Sequence, residues 1–165
     1  MILSDRKQVK KAVSLVLILI VFSTALYLGL YYHAVSSASM KEAAITSVSD
    51  IGLSGVTLEG EVELLNQGYV AVTLDRIEYE IISDTSGNEL AGGIIQGSTI
   101  PAGESAEFPF SARVTLGSSA ASAWKLLVSG EMVVWVRGKA YIDGPWILDQ
   151  NIEFNKSMDL GNMVR

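Results

Sequence analysis

The chain has 165 residues, no cysteine, a single histidine and a formal net charge of −6. Without cysteine there is no disulfide and no thiolate chemistry. With His33 alone, lying beside an apolar run, Ser-His-acid and Cys-His catalysis and His/Cys zinc sites are excluded from the rest of the chain.

The charge is unevenly spread. Arg6, Lys7, Lys10 and Lys11 stand near the N-terminus with one acid, Asp5, and the remaining residues carry a formal charge of −9. Nucleic acid, which requires a basic face, is excluded as a partner, and so is direct adhesion of this acidic part to an anionic leaflet. Cations or basic partners are compatible with it, and a solvated acidic surface accounts for it without either.

Residues 1–11 read as a basic cytoplasmic leader and residues 12–33 as a transmembrane helix. Val13 to Tyr32 is apolar and uncharged, and at about 1.5 Å per residue it crosses a hydrocarbon core of about 30 Å. The basic flank places the N-terminus in the cytoplasm and the C-terminal part outside the membrane, the protein being single-pass in the cell membrane. Tyr27, Tyr31, Tyr32 and His33 suit the outer interface. Ser36 and Ala38 before Ser39 also match a cleaved signal peptide, but the apolar run is longer than the usual h-region, which favours a retained anchor. Ala25 and Gly29, four apart, permit close helix–helix packing and hence self-association in lipid.

Residues 34–44, rich in Ser and Ala, either continue the helix out of the bilayer or form a short stalk, and they are assigned as a stalk. From Ile45 the period is two. Val56, Leu58, Gly60, Val62 and Leu64 alternate with Thr57, Glu59, Glu61 and Glu63, a half-buried strand ended by the turn Asn66-Gln67-Gly68. Val70, Val72 and Leu74 then share one parity and Ile77, Tyr79 and Ile81 the other, so a bulge or break is predicted at Asp75-Arg76. Asp84 to Asn88 is a turn. Leu90 to Ile95 is a Gly-interrupted edge strand.

Ile100-Pro101-Ala102-Gly103 turns into an alternating run from Ala106 to Leu116. Pro109, lacking an N–H, makes that run an edge strand or interrupts it. Gly117 to Ala123 reads as a loop or one helical turn. Trp124 to Ile142 supplies two strands' worth of residues, Asp143-Gly144-Pro145 turns, Trp146 to Phe154 closes the set, and the chain from Asn155 onward is expected to fray. Antiparallel strands at short intervals imply an all-β sandwich preceded by one transmembrane helix.

Several segments carry a family resemblance in order: Val62-Glu63-Leu64-Leu65-Asn66, Ile77-Glu78-Tyr79-Glu80-Ile81, Leu90-Ala91-Gly92-Gly93, Ile100-Pro101-Ala102-Gly103, Val136 to Ala140, and Ile152-Glu153-Phe154. Residues 45–156 resemble the late-embryogenesis-abundant group 2 domain, also called LEA14 or WHy (water stress and hypersensitive response). The resemblance implies a fibronectin/immunoglobulin-like antiparallel sandwich, desiccation or stress protection, membrane anchoring in some members, no enzymatic activity and no cofactor. Residues 157–165 would be a tail. The family has Asn-Pro-Asn where this chain has Asn66-Gln67-Gly68, so only Asn66 carries over as the family turn position. Gly68 is expected to hold that corner in a left-handed conformation.

Glu59, Glu61 and Glu63 line a solvent face, where no acid/base pair is split. No EF-hand spacing and no Gly-rich phosphate loop are present, and Asp143 and Asp149 flank one turn as the remaining acidic pair. Trp124, Trp135 and Trp146 either seal the sandwich ends or contact a partner, with Trp135 and Trp146 the partner-contact candidates. Asn155-Lys156-Ser157 has the form of a glycosylation acceptor at Asn155.

The function expected is a membrane-anchored, non-enzymatic, extracytoplasmic module that binds an envelope or surface protein or protects against stress. The alternative is a subunit of an archaeal-type surface appendage, pilin- or archaellum-like, or of another envelope complex. Lys11-Ala12 before the apolar run loosely resembles a prepilin cleavage context, and sequencing the mature N-terminus separates the two. An enzyme or solute-binding protein using carboxylates would need a concave site lined by two convergent acids.

Overall fold

The computed structural model describes residues 2–52, 55–84, 87–115, 133–144 and 150–160. One helix, α1 (Ile2–Ser37), is followed by eight strands: β1 (Ala38–Gly52), β2 (Gly55–Asn66), β3 (Val72–Ser83), β4 (Glu89–Gln96), β5 (Thr99–Ile100), β6 (Ser105–Thr115), β7 (Val133–Asp143) and β8 (Asn151–Asp159).

The helix lacks charge and glycine breaks over most of its length except Gly29, so nothing in its middle interrupts the hydrogen-bond ladder. Its segment Gln8–Ser37 is long and apolar enough to cross a membrane, and its most apolar window is not buried by the protein. Leu15, Ile18, Val21 and Phe22 are more than half exposed. A core helix of a water-soluble protein would bury that surface; in this structure the described strands leave it uncovered.

Two antiparallel sheets form the body. One has the order β1-β2-β6; the other has the order β4-β3-β7-β8, with β5 also paired to β3. The alternation read in β2 brings Leu58, Val62 and Leu64 inward. They meet Ile77, Tyr79 and Ile81 of β3 and Val134, Val136 and Ala140 of β7 in one core. The bulge predicted at Asp75-Arg76 is present, since the β3–β7 register shifts between Leu74 and Arg76. It brings both hydrophobic parities to the core side. Pro109 lies on β6, which pairs with β2 alone among the described strands, the edge position at which a residue without an N–H is tolerated. β4 is an edge as expected.

Three core aromatics lie over glycines. Phe110 covers its register partner Gly60, Phe154 covers Gly138, and Tyr79 covers Gly93. Each ring occupies the space a neighbouring Cβ would take, an arrangement that restores the apolar cover a strand glycine lacks. Tyr79 also binds the sheets together. Its ring packs on that of Phe110 with centroids 4.7 Å apart and planes tilted by 39°, and its hydroxyl donates to the Ser111 carbonyl at 3.3 Å. Burial pushes the Tyr79 phenol above its ordinary value.

Two expectations are corrected. The stalk at 34–44 is absent: α1 continues to Ser37 and β1 begins at Ala38. Tyr31, Ala34 and Val35 of the helix are buried in the same core as the strands. They are therefore not covered by lipid. Among the described residues, which end at 160, the chain from Asn155 is not frayed. β8 runs to Asp159, and Met158 and Leu160 are buried, which anchors the segment assigned to the tail. The second strand read between Trp124 and Ile142, and the segment Trp146 to Asp149, lie outside the described residues.

Candidate functional site

Two regions of the body collect polar groups: the corner where the helix meets the sandwich, and the outer face of the larger sheet.

At the corner, Asn66 ends β2 and is fully buried. A buried amide is stable only when its donors and acceptor are satisfied. Its side-chain amide donates to the carbonyls of Val70 at 2.9 Å, Ile100 at 3.1 Å and Pro101 at 3.1 Å, and its Oδ1 accepts from the Gly68 N–H at 2.9 Å. Its own N–H donates to the Glu104 carbonyl at 2.9 Å. One residue thereby ties the β2–β3 corner to the turn read at Ile100-Pro101-Ala102-Gly103, where Gly103 takes φ 72°.

Gly68 is not left-handed, which corrects the expectation; the described residues with positive φ are Asp50, Gly55, Gly87 and Gly103. Its requirement is space. A Cβ there would overlap the backbone and side chain of Ala34 on α1. Beside it, the Tyr31 hydroxyl donates to the Asp143 carbonyl at 3.0 Å, and the His33 ring stacks on Tyr69 at 5.6 Å. Tyr69 was not singled out from the sequence; its place in a turn gave no periodic signal.

On the larger sheet, register partners form rows across the outer face. Gly92, Glu80, Arg137 and Asn155 make one row; Ile94, Glu78, Lys139 and Glu153 the next; Gln96, Arg76, Tyr141 and Asn151 the third. The glycine gives the face depth, and a groove of about 770 Å3 lies across the first two rows.

Its charges are mostly cross-linked. The Arg76 guanidinium donates to Glu78 at 2.8 Å and to Asp75 at 2.6 Å while lying 4.1 Å over the Tyr141 ring, whose hydroxyl donates to Glu78 at 3.0 Å. Lys139 pairs with Glu153 at 2.8 Å. The Arg76 guanidinium and then the Tyr141 hydroxyl hold the Glu78 carboxyl below the usual carboxylate range, and Lys139 does the same to Glu153. The Glu78 and Glu153 carboxyls therefore stay charged near neutrality, and neither is raised toward a general-acid role. Glu80 and Arg137 face one another but, among the described residues, close no ion pair. Exposed Ile94 adds an apolar rim.

Trp135 lies one row beyond, opposite Ile82 and Ser157. It is half-buried, not freely exposed, and its indole donates to Asp84 at 2.7 Å. Asn155 is exposed on the edge strand β8 and lines the groove. Trp146 lies outside the described residues. Ala25 and Gly29 are both exposed on α1. No cluster of three metal-ligating side chains occurs among the described residues.

The sequence profile of the late embryogenesis abundant protein family matches residues 61–158. The chain belongs to that family. Membership makes it a non-catalytic protein. Among solved structures, it resembles the solution structure of an Arabidopsis thaliana protein at 16% identity and a TM-score of 0.57, covering 73% of this chain and 78% of that one. A crystal structure of an Archaeoglobus fulgidus protein is similar at 15% identity and a TM-score of 0.50, covering 73% and 94%. A domain of a glycosyl hydrolase family 2 member from Bacteroides cellulosilyticus is similar at 14% identity and a TM-score of 0.53, but covers 15% of that enzyme. These likenesses concern the fold alone. No curated protein matches the chain.

Proposed function

We propose that this late embryogenesis abundant domain is held on the outer side of a membrane by α1 and presents the outer face of its larger sheet to an envelope or surface protein. The observation that carries the reading is the pair Glu80 and Arg137. Two opposite charges stand in a groove without closing on each other, beside the apolar Ile94 and near Trp135. Free charges with an aromatic and an aliphatic neighbour suit a protein partner of complementary pattern, which gains from pairing them and from covering the rings.

The basic leader supports the outward orientation. The two antiparallel sheets support a fibronectin-like arrangement, and the family supports a role in stress protection through that contact.

Site-specific photo-crosslinking in native membranes tests it. A crosslinker at Ile94 or Arg137 captures a discrete protein, one at Glu59 on the opposite sheet does not, and Arg137→Glu abolishes the Ile94 product. Equal labelling from both sheets, or none from the groove, overturns the reading. Protease accessibility from each side of sealed vesicles tests the orientation independently.

A further inference from the structure

We propose that Tyr69, in the corner between β2 and β3, is seated in the lipid headgroup layer, so that the sandwich rests on the bilayer through this corner. The inference rests on the membrane-spanning reading of α1 and adds to it a contact made by the body itself.

The distances lead there. From Ala12 to Tyr32 the helix rises about 30 Å, the thickness of the hydrocarbon core, so with Lys11 at one border His33 stands at the other. The headgroup layer beyond that border is about 5–7 Å deep. The Tyr69 ring centroid is 5.6 Å from that of His33. It therefore lies no further than about 5.6 Å from that border, between the outermost acyl carbons and the headgroups.

Exposure and chemistry agree with the position. Tyr69 is 74% exposed, the most exposed of the described large hydrophobic side chains, on a corner where Gly68 is buried, Gly68 and Val70 are tied by Asn66, and Gln67 and Ala71 are exposed beside it. A tyrosine at this depth keeps its ring among apolar carbons and its hydroxyl among headgroups and water. Tyr27 and Tyr32 on α1 are also more than half exposed near the same border. With Tyr69 they make an aromatic belt drawn from two separate parts of the chain. The corner cannot swing away. Ala34 packs against Gly68, and Tyr31 is hydrogen-bonded to the Asp143 carbonyl.

The absence of native cysteine makes the test clean. Single-cysteine variants of the full chain, Leu19→Cys, Tyr69→Cys and Ile51→Cys, are labelled with an environment-sensitive fluorophore and placed in phosphatidylcholine–phosphatidylglycerol vesicles. Lipids with a nitroxide at the headgroup, at carbon 5 or at carbon 12 then act as quenchers. The expected pattern is strongest quenching of position 19 by the deep nitroxide, of position 69 by the headgroup or carbon 5 nitroxide, and none at position 51, near the end of β1 that lies away from the helix. Gln67→Cys, in the same corner with Tyr69 retained, reports the same depth without cutting the stack. If positions 67 and 69 both behave like position 51 while position 19 is deep, the seating is wrong and the span survives. If position 19 is also unquenched, the spanning reading fails and takes the seating with it.

Discussion

Gly68 and Ala34 touch backbone to backbone, the one in the β2–β3 corner and the other in the last turns of the helix. This contact turns the end of the long apolar helix into a core element of the β body. A methyl group at position 68 would have to displace the helix. Gly68→Ala should destabilise the body by about 1–3 kcal/mol, the usual cost of overpacking. It should also free Tyr31 from the Asp143 carbonyl. Denaturant unfolding of the full chain in micelles measures the first, and hydrogen exchange across the last helical turns the second. Adding Ala34→Gly should restore part of both.

Asn66 satisfies three carbonyls from two separate segments while bound to the Gly68 N–H. Truncation to alanine leaves those buried acceptors dry, and Asn66→Ala should cost about 3 kcal/mol. Asn66→Asp should be worse at neutral pH, because a carboxylate would face the same three oxygens. The urea midpoints of the two variants give the order.

Phe154 lies across Gly138, its register partner, where an added Cβ would also meet the Glu78 carbonyl oxygen. Gly138→Ala should therefore lower stability by about 1–3 kcal/mol, although alanine is the smallest change available. Gly103 differs. Nothing stands within 4 Å of a Cβ there, but its φ is 72°, so Gly103→Ala costs conformational strain of about 1 kcal/mol and leaves the packing intact. Thermal melts of the two variants, with near-ultraviolet dichroism for packing, separate the causes.

The ion pairs set a pH window. The Lys41 ammonium and Ser105 hydroxyl hold Glu63 low, as Arg76 and Lys139 hold Glu78 and Glu153. A depressed carboxyl stabilises fully above its unfolded value, about 4.3, and the contribution is lost as pH falls through the folded one. The Lys41 and Lys139 ammonium groups are raised by Glu63 and Glu153. Their contribution is full below the ordinary lysine value of about 10.4 and is lost as pH rises through the folded one. The melting temperature should be flat between these limits and fall on both sides. Because the pairs are solvent-accessible, the changes should shrink in high salt.

Trp135→Phe removes the bond to Asp84 but keeps an aromatic ring on the outer face. Stability should change by less than about 1 kcal/mol at this half-exposed position. Crosslinking from Ile94 should weaken if the indole joins the partner contact. Comparing the two readouts separates a structural tryptophan from a recognition one.

The alternating stretches were legible because each buries one side of a strand. β2, the two parities of β3 and the proline in β6 each led to a strand, a bulge and an edge that the structure contains. β1 was hidden from its start at Ala38. Its small residues carry little periodic signal, and register shifts at Met40/Glu42, Ile45/Ser47 and Ser49/Gly52 scramble what remains. The end of β8 was hidden because Asn155, Lys156 and Ser157 are polar on both parities. Met158 and Leu160 reveal burial only once the pairing with β7 is known.

The site was legible in part. Asn66 was marked by the family pattern, but its bonds reach Ile100 and Pro101, separated from it by more than 30 positions. The Glu80–Arg137 pair and the His33–Tyr69 stack join residues from distant segments. No spacing rule within one segment brings such residues together.

The helix passes into β1 with no spacer between Ser37 and Ala38. A domain on a flexible tether sweeps a hemisphere above its anchor; this one has no such freedom. With strands such as β3 rising about 40 Å, the proposed partner contact would have to form within that height of the membrane. On the proposed membrane-anchored reading, encounters with other membrane proteins would become a search in two dimensions.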